Sequence, residues 1–423
     1  MAPTADIEGL ETFSESVDRQ LTPFFVGRHD EISNILSQLY QTFERHKAGR
    51  RAPAAGTTRL IQGAPGAGKS ALLYQLGEMW EAAGGAAPRA VMLGTADLTA
   101  PAKLAARILQ QVSQEDAVRL RRTATAGGGG GLRVMGLTIS LNRSGTTGPE
   151  DAWDLLRAIE WPSPVCLMVD EIQTMSETQF NTLLDFHTGV HDLPIVPVFA
   201  GLANARDVLA RNGFSRLGQG AVHTLGCLDQ DDAAHSVELF LDHFGVDRSG
   251  AQEDWPVRIA EMSDGWPMHL HNTMRALAGA LTPAGGRLAG VDAEVVEERA
   301  AAMRWDTYAN LQSRELETAR SLVSAVLKSV PAEGARKAEV VNRIEQLARP
   351  APAAWRIPAG MSSDDFLDLM VHRGVLQPSP ARRLVCPIPS FRRFLIEEGE
   401  SPPLASPSPP SSDSGLPEPS PFD

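Results

Sequence analysis

Eight residues near position 65 constrain this chain more than any other feature. They fill every fixed position of the pattern G-x-x-x-x-G-K-S and read Gly63-Ala64-Pro65-Gly66-Ala67-Gly68-Lys69-Ser70. Glycines let successive backbone N–H groups turn inward around an anion, and a helix that begins here points its positive end at the same place. We therefore expect a phosphate-binding loop, with Lys69 on the β- and γ-phosphates of a nucleotide and Ser70 on Mg²⁺. A Gly-rich turn can also join a strand to a helix for steric reasons alone, but the complete pattern favours phosphate binding.

Length and composition set the broad class. With 423 residues, 43% hydrophobic and 22% charged, the chain is typical of a globular protein of about two to three domains. The net charge of −13 argues against a protein that coats nucleic acid with its whole surface, although a local basic patch is compatible with it. The three cysteines are far apart and form no C-x-x-C pair, which argues against a zinc site or a disulfide framework, so we expect reduced, buried thiols. Because the N-terminus lacks an apolar signal segment and no apolar run reaches membrane-spanning length, we expect a cytoplasmic protein without membrane contact.

The order of apolar segments predicts an α/β fold with a parallel P-loop sheet. Strands are predicted at 59–62, 89–93, 165–169 and 195–200, and helices at 29–47, at 150–161 and after the phosphate loop. Residues 126–131 are rich in glycine and predict a flexible joint, followed by a hairpin or extended insertion at 132–141. We expect a polar leader of uncertain structure at 1–20 and the P-loop ATPase core at 21–228.

The second half of the chain predicts helices rather than strands. A helical lid is expected at 229–304, where strand signals disappear. Helices at 310–327, 338–347 and 362–373, followed by short apolar pieces at 374–376 and 384–387, are typical of a winged-helix-like domain at 305–400. Residues 401–423 are acidic and rich in Pro and Ser, so they cannot bury enough apolar surface to fold, and we expect a disordered tail.

Two adjacent carboxylates follow the predicted strand at 165–169. Asp170 and Glu171 lie about one hundred residues after the phosphate loop. At the carboxyl end of such a strand Asp170 can hold Mg²⁺, and Glu171 can orient or polarise the attacking water. Taken alone, the pair is equally consistent with a solvated strand end. Together with the phosphate loop, it predicts a nucleotide hydrolase.

The turn before the phosphate loop resembles a motif of AAA+ ATPases of the origin-recognition and initiator type, and of related STAND-type NTPases. It reads Phe25-Val26-Gly27-Arg28 and is followed by Asp30 and Glu31. In these families the corresponding box lies beside the adenine. The resemblance implies that Val26, Gly27 and Arg28 contact the nucleotide, together with Pro267 and the loop residues Gly63 to Ala71.

Two further segments are similar to motifs of the same ATPases. Phe199-Ala200-Gly201-Leu202-Ala203-Asn204 resembles the end of the sensor 1 strand, which implies that Asn204 positions the hydrolytic water. The alternative is that Asn204 caps a helix. Phe214-Ser215-Arg216-Leu217 resembles the box that carries the arginine finger, which implies that Arg216 reaches a neighbouring subunit's γ-phosphate in a homo-oligomer. Arg206 and Arg211 are alternative fingers, and a plain surface arginine is a third reading.

The resemblance breaks at the second sensor. Gly265-Trp266-Pro267-Met268 stands where initiator ATPases have Gly-Asp-x-Arg, so the arginine that acts within the same subunit is missing. Gly-x-Pro is similar instead to STAND-type and archaeal-type ATPases, in which the proline lies near the base. This difference favours a slow, nucleotide-controlled switch over fast hydrolysis.

The sequence therefore predicts an ATP-binding protein that hydrolyses ATP with Mg²⁺, and it leaves two roles open. In the first, the C-terminal domain binds DNA under the control of ATP. In the second, it is a protein-interaction module of a signalling or defence ATPase. The arginines 382, 383, 392 and 393 are phosphate contacts in the first role and a solvated face in the second, and the nearby acidic residues Glu397, Glu398 and Glu400 favour the second. A metabolic kinase is disfavoured by the long lid and the C-terminal domain.

Overall fold

The computed structural model describes residues 5–15, 24–50, 58–83, 87–115, 149–157, 161–214, 217, 219–311, 314–349, 356–379 and 381–400. Its helices are α1 (Ile7–Glu15), α2 (His29–Lys47), α3 (Lys69–Ala83), α4 (Pro101–Glu115), α5 (Pro149–Arg157), α6 (Glu177–Gly189), α7 (Ala205–Arg211), α8 (Gln230–His243), α9 (Trp255–Met262), α10 (Pro267–Leu281), α11 (Ala293–Leu311), α12 (Arg314–Thr318), α13 (Arg320–Ser329), α14 (Lys337–Ala348), α15 (Ser363–His372) and α16 (Pro389–Glu400). The strands are β1 (Arg59–Gln62), β2 (Arg89–Leu93), β3 (Val165–Val169), β4 (Ile195–Gly201), β5 (Val222–Thr224), β6 (Gln377–Pro378) and β7 (Leu384–Val385). Short 3₁₀ helices cover Asp97–Thr99, Ile172–Thr174, Gln219–Ala221 and Leu288–Gly290. The predicted glycine joint, the insertion after it and the tail at 401–423 lie outside the described residues.

A five-stranded parallel sheet forms the centre of the first half of the chain. The strand order is β2-β3-β4-β1-β5, and every neighbouring pair is parallel. β1 lies between β4 and β5, with Leu60 opposite Phe199 on one side and Val222 on the other. β1, β3 and β4 are buried along their whole length, as expected for parallel strands covered by helices on both faces. The predicted α/β fold is confirmed.

The strands lie close to their predicted positions, with one addition. β1, β2 and β3 have the predicted bounds, and β4 extends one residue further, to Gly201. β5 was not predicted. It has only three residues and a histidine at its centre, so it is too short to show an apolar period.

Helices α8 to α11 cover the segment for which a lid is predicted, and we call these helices the lid; α1 packs against them. Leu10 is fully buried, and the ring of Phe13 lies 5.3 Å from that of Phe240 on α8. Arg275 of α10 donates a hydrogen bond to the carbonyl of Ser14 at 3.0 Å. The expectation of a polar leader at 1–20 is therefore wrong for α1. Ile7, Leu10 and Phe13 are three residues apart and share one helix face, an apolar stripe that the acidic composition of the segment concealed.

The lid continues into the C-terminal region without a break. α11 runs through the predicted boundary between residues 304 and 305, because its nineteen residues contain neither Gly nor Pro to end the helix. The domain limits given above therefore stay predictions, and this one falls inside a helix.

The C-terminal region has the predicted order of helices followed by a hairpin. The helix predicted at 310–327 is divided, and α13 begins after Ala319. β6 and β7 pair antiparallel, and Ala335 forms a bridge with Leu384. β6 begins at Gln377 rather than within 374–376, since Gly374 turns the chain with a φ of 74°. Buried side chains of this region and of the face of the sheet that packs on α3 form one continuous hydrophobic cluster.

Among the helices that the structure describes, none is long and apolar enough to cross a lipid bilayer. The three cysteines are free. Cys166 on β3 is fully buried, and burial raises the pKa of its thiol. Cys227 is exposed, so the expectation of buried thiols is wrong for this residue.

Candidate active site

The phosphate loop joins β1 to α3 at the carboxyl edge of the sheet. Residues 63–68 form the turn, and α3 begins at Lys69. Gly66 has a φ of 82°, and a Cβ atom at this position would lie 2.8 Å from the Cβ of Met268. The N–H of Met268 donates to the carbonyl of Gly66 at 3.2 Å. The loop conformation and the close approach of α10 therefore both require glycine.

Lys69 is the buried cation of the site. Its side chain is 6% exposed, and Nζ donates to the carbonyls of Gly63 at 3.0 Å and Ala64 at 3.1 Å. Burial lowers the pKa of Lys69, and the carboxylates of Glu171 and Asp170 partly oppose this shift. A desolvated ammonium group beside two carboxylates is suited to bind phosphate oxygens.

Ser70 and Asp170 meet beside the loop. The Ser70 hydroxyl donates to Oδ2 of Asp170 at 2.5 Å, and Oδ1 of Asp170 accepts from the N–H of Glu171 at 2.8 Å. A hydroxyl and a carboxylate are the hard oxygen ligands that Mg²⁺ takes beside the phosphates of a nucleotide. The described part of the chain has no cluster of three or more His, Cys, Asp or Glu that could hold a metal by itself. The donor set fits Mg²⁺ bound together with phosphate.

A cavity of about 430 Å³ opens from the phosphate loop toward the lid. Loop residues 65–71 and Glu171 line one end. The other end is mostly apolar and is lined by residues before α2, by Leu228 just before the lid and by residues of the lid: Phe24, Phe25, Val26, Arg28, Leu228, Ser236, Pro267, Met268, Leu270, His271 and Met274. Leu202, directly after β4, also lines the cavity. A volume of this size and an apolar end with few polar groups are typical of a small-molecule site.

Arg28 connects the cavity to the segment between β5 and the lid. It adopts a φ of 61°, and its guanidinium donates to the carbonyl of Gly226 at 2.6 Å and to that of Ala67 at 3.4 Å. Burial lowers the pKa of Arg28, against the opposing charges of Glu31, Cys227 and Asp232. Gly27 is tightly packed, because a Cβ atom there would lie 2.5 Å from Oδ2 of Asp232. Val26 and Arg28 of the segment before α2 therefore lie at the cavity. Arg28 is hydrogen-bonded both to the phosphate loop and to the segment before the lid.

Of the two remaining predicted residues, the structure describes only Asn204. Asn204 precedes α7, its side chain makes no capping hydrogen bond, and it is not among the described lining residues. Arg216 and Ser215 lie outside the described residues. The roles of Asn204 and Arg216 stay predictions. The alternative fingers Arg206 and Arg211 are exposed on α7.

Two glutamines that sequence reasoning missed contact the predicted site. Gln173 hydrogen-bonds Glu171, and Gln377 on β6 hydrogen-bonds the loop residue Ala64. Gln173 lies only two residues after Glu171, so proximity could have drawn attention to it. For Gln377 the sequence contains no local signal, because its partner is 313 residues away.

Comparison with known proteins adds a domain assignment. Residues 44–192 match the family described as AAA domain, a range that includes the phosphate loop, Asp170 and Glu171. No curated protein matches the chain. The resemblance to AAA+ P-loop ATPases is thus confirmed for this part of the chain, and the match ends before Asn204 and Arg216.

Among solved structures, Cdc6p from Pyrobaculum aerophilum is 14% identical, covers 92% of this chain and 98% of its own, and has a TM-score of 0.44. The Aeropyrum pernix ORC1 protein in complex with DNA is 13% identical, with coverages of 92% and 95% and a TM-score of 0.44. A single-residue variant of RuvB from Thermotoga maritima is 15% identical, with coverages of 90% and 98% and a TM-score of 0.40.

Proposed function

We propose that the protein binds ATP with Mg²⁺ and hydrolyses it to ADP and phosphate as a slow, nucleotide-controlled switch. The AAA domain match supports a nucleotide-dependent ATPase as the general activity. The observation that carries the proposal is the 2.5 Å hydrogen bond from Ser70 to Asp170, because it joins the phosphate loop to the carboxylate that follows β3. Lys69 and Glu171 line the cavity beside this bond.

Each of these residues has a separate task in hydrolysis. The backbone N–H groups of the loop and Lys69 bind the β- and γ-phosphates. Ser70 and Asp170 would hold Mg²⁺, which supplies positive charge beside the phosphate oxygens when bound. Glu171 accepts a proton from water while the water oxygen bonds to the γ-phosphorus. The bond from that phosphorus to the bridging oxygen breaks, and its electron pair stays on ADP.

The lid supports slow turnover. The first arginine of α10 is Arg275, and its guanidinium bonds the carbonyl of Ser14. The residues of α10 that line the described cavity, Pro267 among them, include no Lys or Arg. Less positive charge then faces the γ-phosphate from this side, so stabilisation of the transition state is weaker. A turnover of many ATP per second by the isolated monomer would contradict a slow switch.

An arginine supplied by a second subunit would complete such a site. In this proposal Arg216 acts on the γ-phosphate of a neighbour in a homo-oligomer. Sedimentation with ATP and with ADP tests it. Assembly that requires ATP and is lost in Arg216→Ala supports the role, whereas an Arg216→Ala variant with normal assembly and turnover excludes it.

For the C-terminal region we infer a role in protein interaction rather than DNA binding. If α13 to α16 form a winged helix, α15 follows α14 as the second helix of a helix-turn-helix, the one that enters the major groove. The exposed positions of α15 include Asp364, Asp365 and Asp368. Lys337 of α14 forms ion pairs with Asp364 and Asp368, so one positive charge offsets part of the three negative charges. The net negative charge that is left repels DNA phosphates.

The arginines near the hairpin support the same inference. Arg383 donates to the carbonyl of Gly334 at 3.1 Å. Arg392 donates to the carbonyls of Leu327 at 2.9 Å and Val330 at 3.2 Å. Two of the four arginines that could contact phosphate therefore stabilise the C-terminal region itself. Binding of duplex DNA at low salt, with an affinity that falls steeply as salt rises, would restore the DNA role.

The nucleotide proposal is tested with Lys69→Ala and a matched control, Lys103→Ala. Lys103 is an exposed lysine on α4. Loss of a buried cation should weaken ATP binding by about 30-fold or more and abolish turnover, because the phosphates lose a desolvated charge partner. Calorimetric titration with ATP and Mg²⁺ and a phosphate-release assay measure both. Unchanged affinity and turnover in Lys69→Ala would refute the assignment.

A further inference from the structure

Gln173 lies between two strand ends at the candidate active site. It is the middle residue of the 3₁₀ helix Ile172–Thr174, directly after Glu171. Its side-chain NH₂ group donates a hydrogen bond to Oε2 of Glu171. Its side-chain oxygen accepts a hydrogen bond from the backbone N–H of Leu202 at 3.1 Å. One amide thus joins the carboxylate of Glu171, near the end of β3, to Leu202, directly after β4.

The partners fix the orientation of this amide. The N–H of Leu202 can only donate, so the oxygen of Gln173 must face it, and the NH₂ group then faces Glu171. The end of β4 is shaped around the same side chain. A Cβ atom at Gly201 would lie 3.0 Å from the side-chain oxygen of Gln173 and 2.7 Å from Cγ1 of Ile172. A larger residue at position 201 would displace Gln173.

Glu171 is a side chain whose position needs such support. It is exposed, lines the cavity and has a backbone φ of 52°. An exposed glutamate samples several rotamers, whereas a general base must stay within hydrogen-bond reach of the water. A hydrogen bond to Oε2 restricts the carboxylate and leaves Oε1 to accept a proton. The donor on Gln173 therefore serves the geometry that hydrolysis requires.

We propose that Gln173 is a positioning residue that holds the carboxylate of Glu171 toward the phosphate loop during hydrolysis. This role rests on the proposed ATPase function, because it takes Glu171 as the general base. The same side chain accepts a hydrogen bond from the N–H of Leu202, directly after β4, which holds Gln173 itself in place.

Two substitutions separate this role from a purely structural one. Gln173→Leu removes both the donor and the acceptor with little change in volume. Gln173→Glu keeps an oxygen that accepts from Leu202 but replaces the donor by a second carboxylate, which repels Glu171. Gln41→Leu is the matched control, since Gln41 is exposed on α2 and does not line the cavity.

We expect kcat to fall by about 10- to 100-fold in both Gln173 variants, because the carboxylate is misplaced. KM and the dissociation constant for ATP should stay within about twofold, since an effect on the chemical step leaves binding unchanged. Hydrogen exchange at the N–H of Leu202 should accelerate in Gln173→Leu and stay slow in Gln173→Glu. Gln41→Leu should behave as the unmodified protein in all of these measurements.

Full turnover by Gln173→Glu overturns the proposal, because the Leu202 hydrogen bond alone would then be sufficient. If Gln173→Leu loses both ATP binding and turnover, the proposal is also overturned, in favour of a structural role. If Glu171→Gln stops hydrolysis and both Gln173 variants turn over normally, the positioning role fails and the ATPase stands. If the unmodified protein hydrolyses no ATP, both fail.

Discussion

The side-chain oxygen of Gln377 accepts a hydrogen bond of 2.8 Å from the backbone N–H of Ala64 in the phosphate loop. The NH₂ group of the same side chain donates to the carbonyl of Leu225, just before the lid, at 3.3 Å. Gln377 is only 5% exposed. The C-terminal hairpin is therefore bonded to the phosphate loop and to the connection between β5 and the lid. A displacement of Ala64 or of Leu225 therefore changes the hydrogen bonds of the same buried side chain, Gln377.

Gln377→Leu should uncouple these segments. It leaves the N–H of Ala64 and the carbonyl of Leu225 without their partner, and each such buried group costs about 1–3 kcal/mol. We expect the free energy of unfolding to fall by about 2 kcal/mol or more and the affinity for ATP to change. Denaturant unfolding and ATP titration measure the two effects. Gln346→Leu, on the exposed face of α14, is the control, and equal behaviour of the two variants would contradict the coupling.

Gly374→Ala tests the contact between the turn that joins α15 to β6 and the phosphate loop. Gly374 has a φ of 74°, and a Cβ atom there would lie 2.5 Å from Cδ of Pro65. Gly360 is a matched control, because it has a φ of 86° with nothing within 4 Å of its Cβ position. Both alanines carry backbone strain of about 1–2 kcal/mol, but only Gly374→Ala pushes the phosphate loop. We expect Gly374→Ala alone to weaken ATP binding, as measured by titration beside Gly360→Ala.

Glu171→Gln should separate binding from hydrolysis. The amide keeps the size of the side chain but cannot accept the proton of the water, so kcat should fall by about 10²- to 10⁴-fold. ATP should remain bound and intact, which chromatography of the nucleotide released from the protein detects. Hydrolysis at the normal rate would mean that another residue prepares the water.

Acidification should destabilise the lid through His269. This residue is fully buried, and its Nε2 shares a hydrogen bond of 2.9 Å with the hydroxyl of Tyr308. Burial, together with the positive charge of Arg304, lowers the pKa of His269 to about 3. Between about pH 3 and the ordinary value of 6.5, the unfolded chain binds a proton that the folded protein does not. The free energy of unfolding therefore falls as pH is lowered through this window, by up to about 1.4 kcal/mol per pH unit.

The measurement is denaturant unfolding at pH 7 and pH 5. His269→Gln does not titrate, so its loss of stability between these values should be smaller than that of the unmodified protein by about 1–2 kcal/mol. The exposed His235 on α8 provides the control His235→Gln, which should keep the full loss. An equal loss in His269→Gln would show that other groups govern the acid response.

The central sheet and the phosphate end of the site could be predicted because their signals are local. Buried parallel strands are short apolar runs, and the bounds of β1, β2 and β3 follow from them. The phosphate loop needs eight consecutive residues, and Asp170 and Glu171 directly follow β3. Local signals of this kind are independent of how the rest of the chain packs.

The other contacts could not be predicted, because they depend on pairing between distant segments. Gln377 is a polar residue in a two-residue strand, and only the tertiary structure brings it to Ala64. The acidic sequence of α1 predicts an exposed segment. In the structure Leu10 is buried in a hydrophobic cluster with side chains of α8 and α10, which the local sequence does not reveal. Asn204 is the opposite case. Its place in the sequence resembles a known motif, but it is not among the described residues that line the cavity.

The docking of α1 on the lid has a consequence for synthesis of the chain. The carbonyl of Ser14 bonds Arg275, which is made 261 residues later. At about 5–20 residues per second, the apolar face of α1 waits roughly 10–50 s for its partner helix to leave the ribosome. During that interval the nascent chain exposes a short segment with Ile7, Leu10 and Phe13 uncovered, which a chaperone or a second nascent chain can bind before the lid covers it.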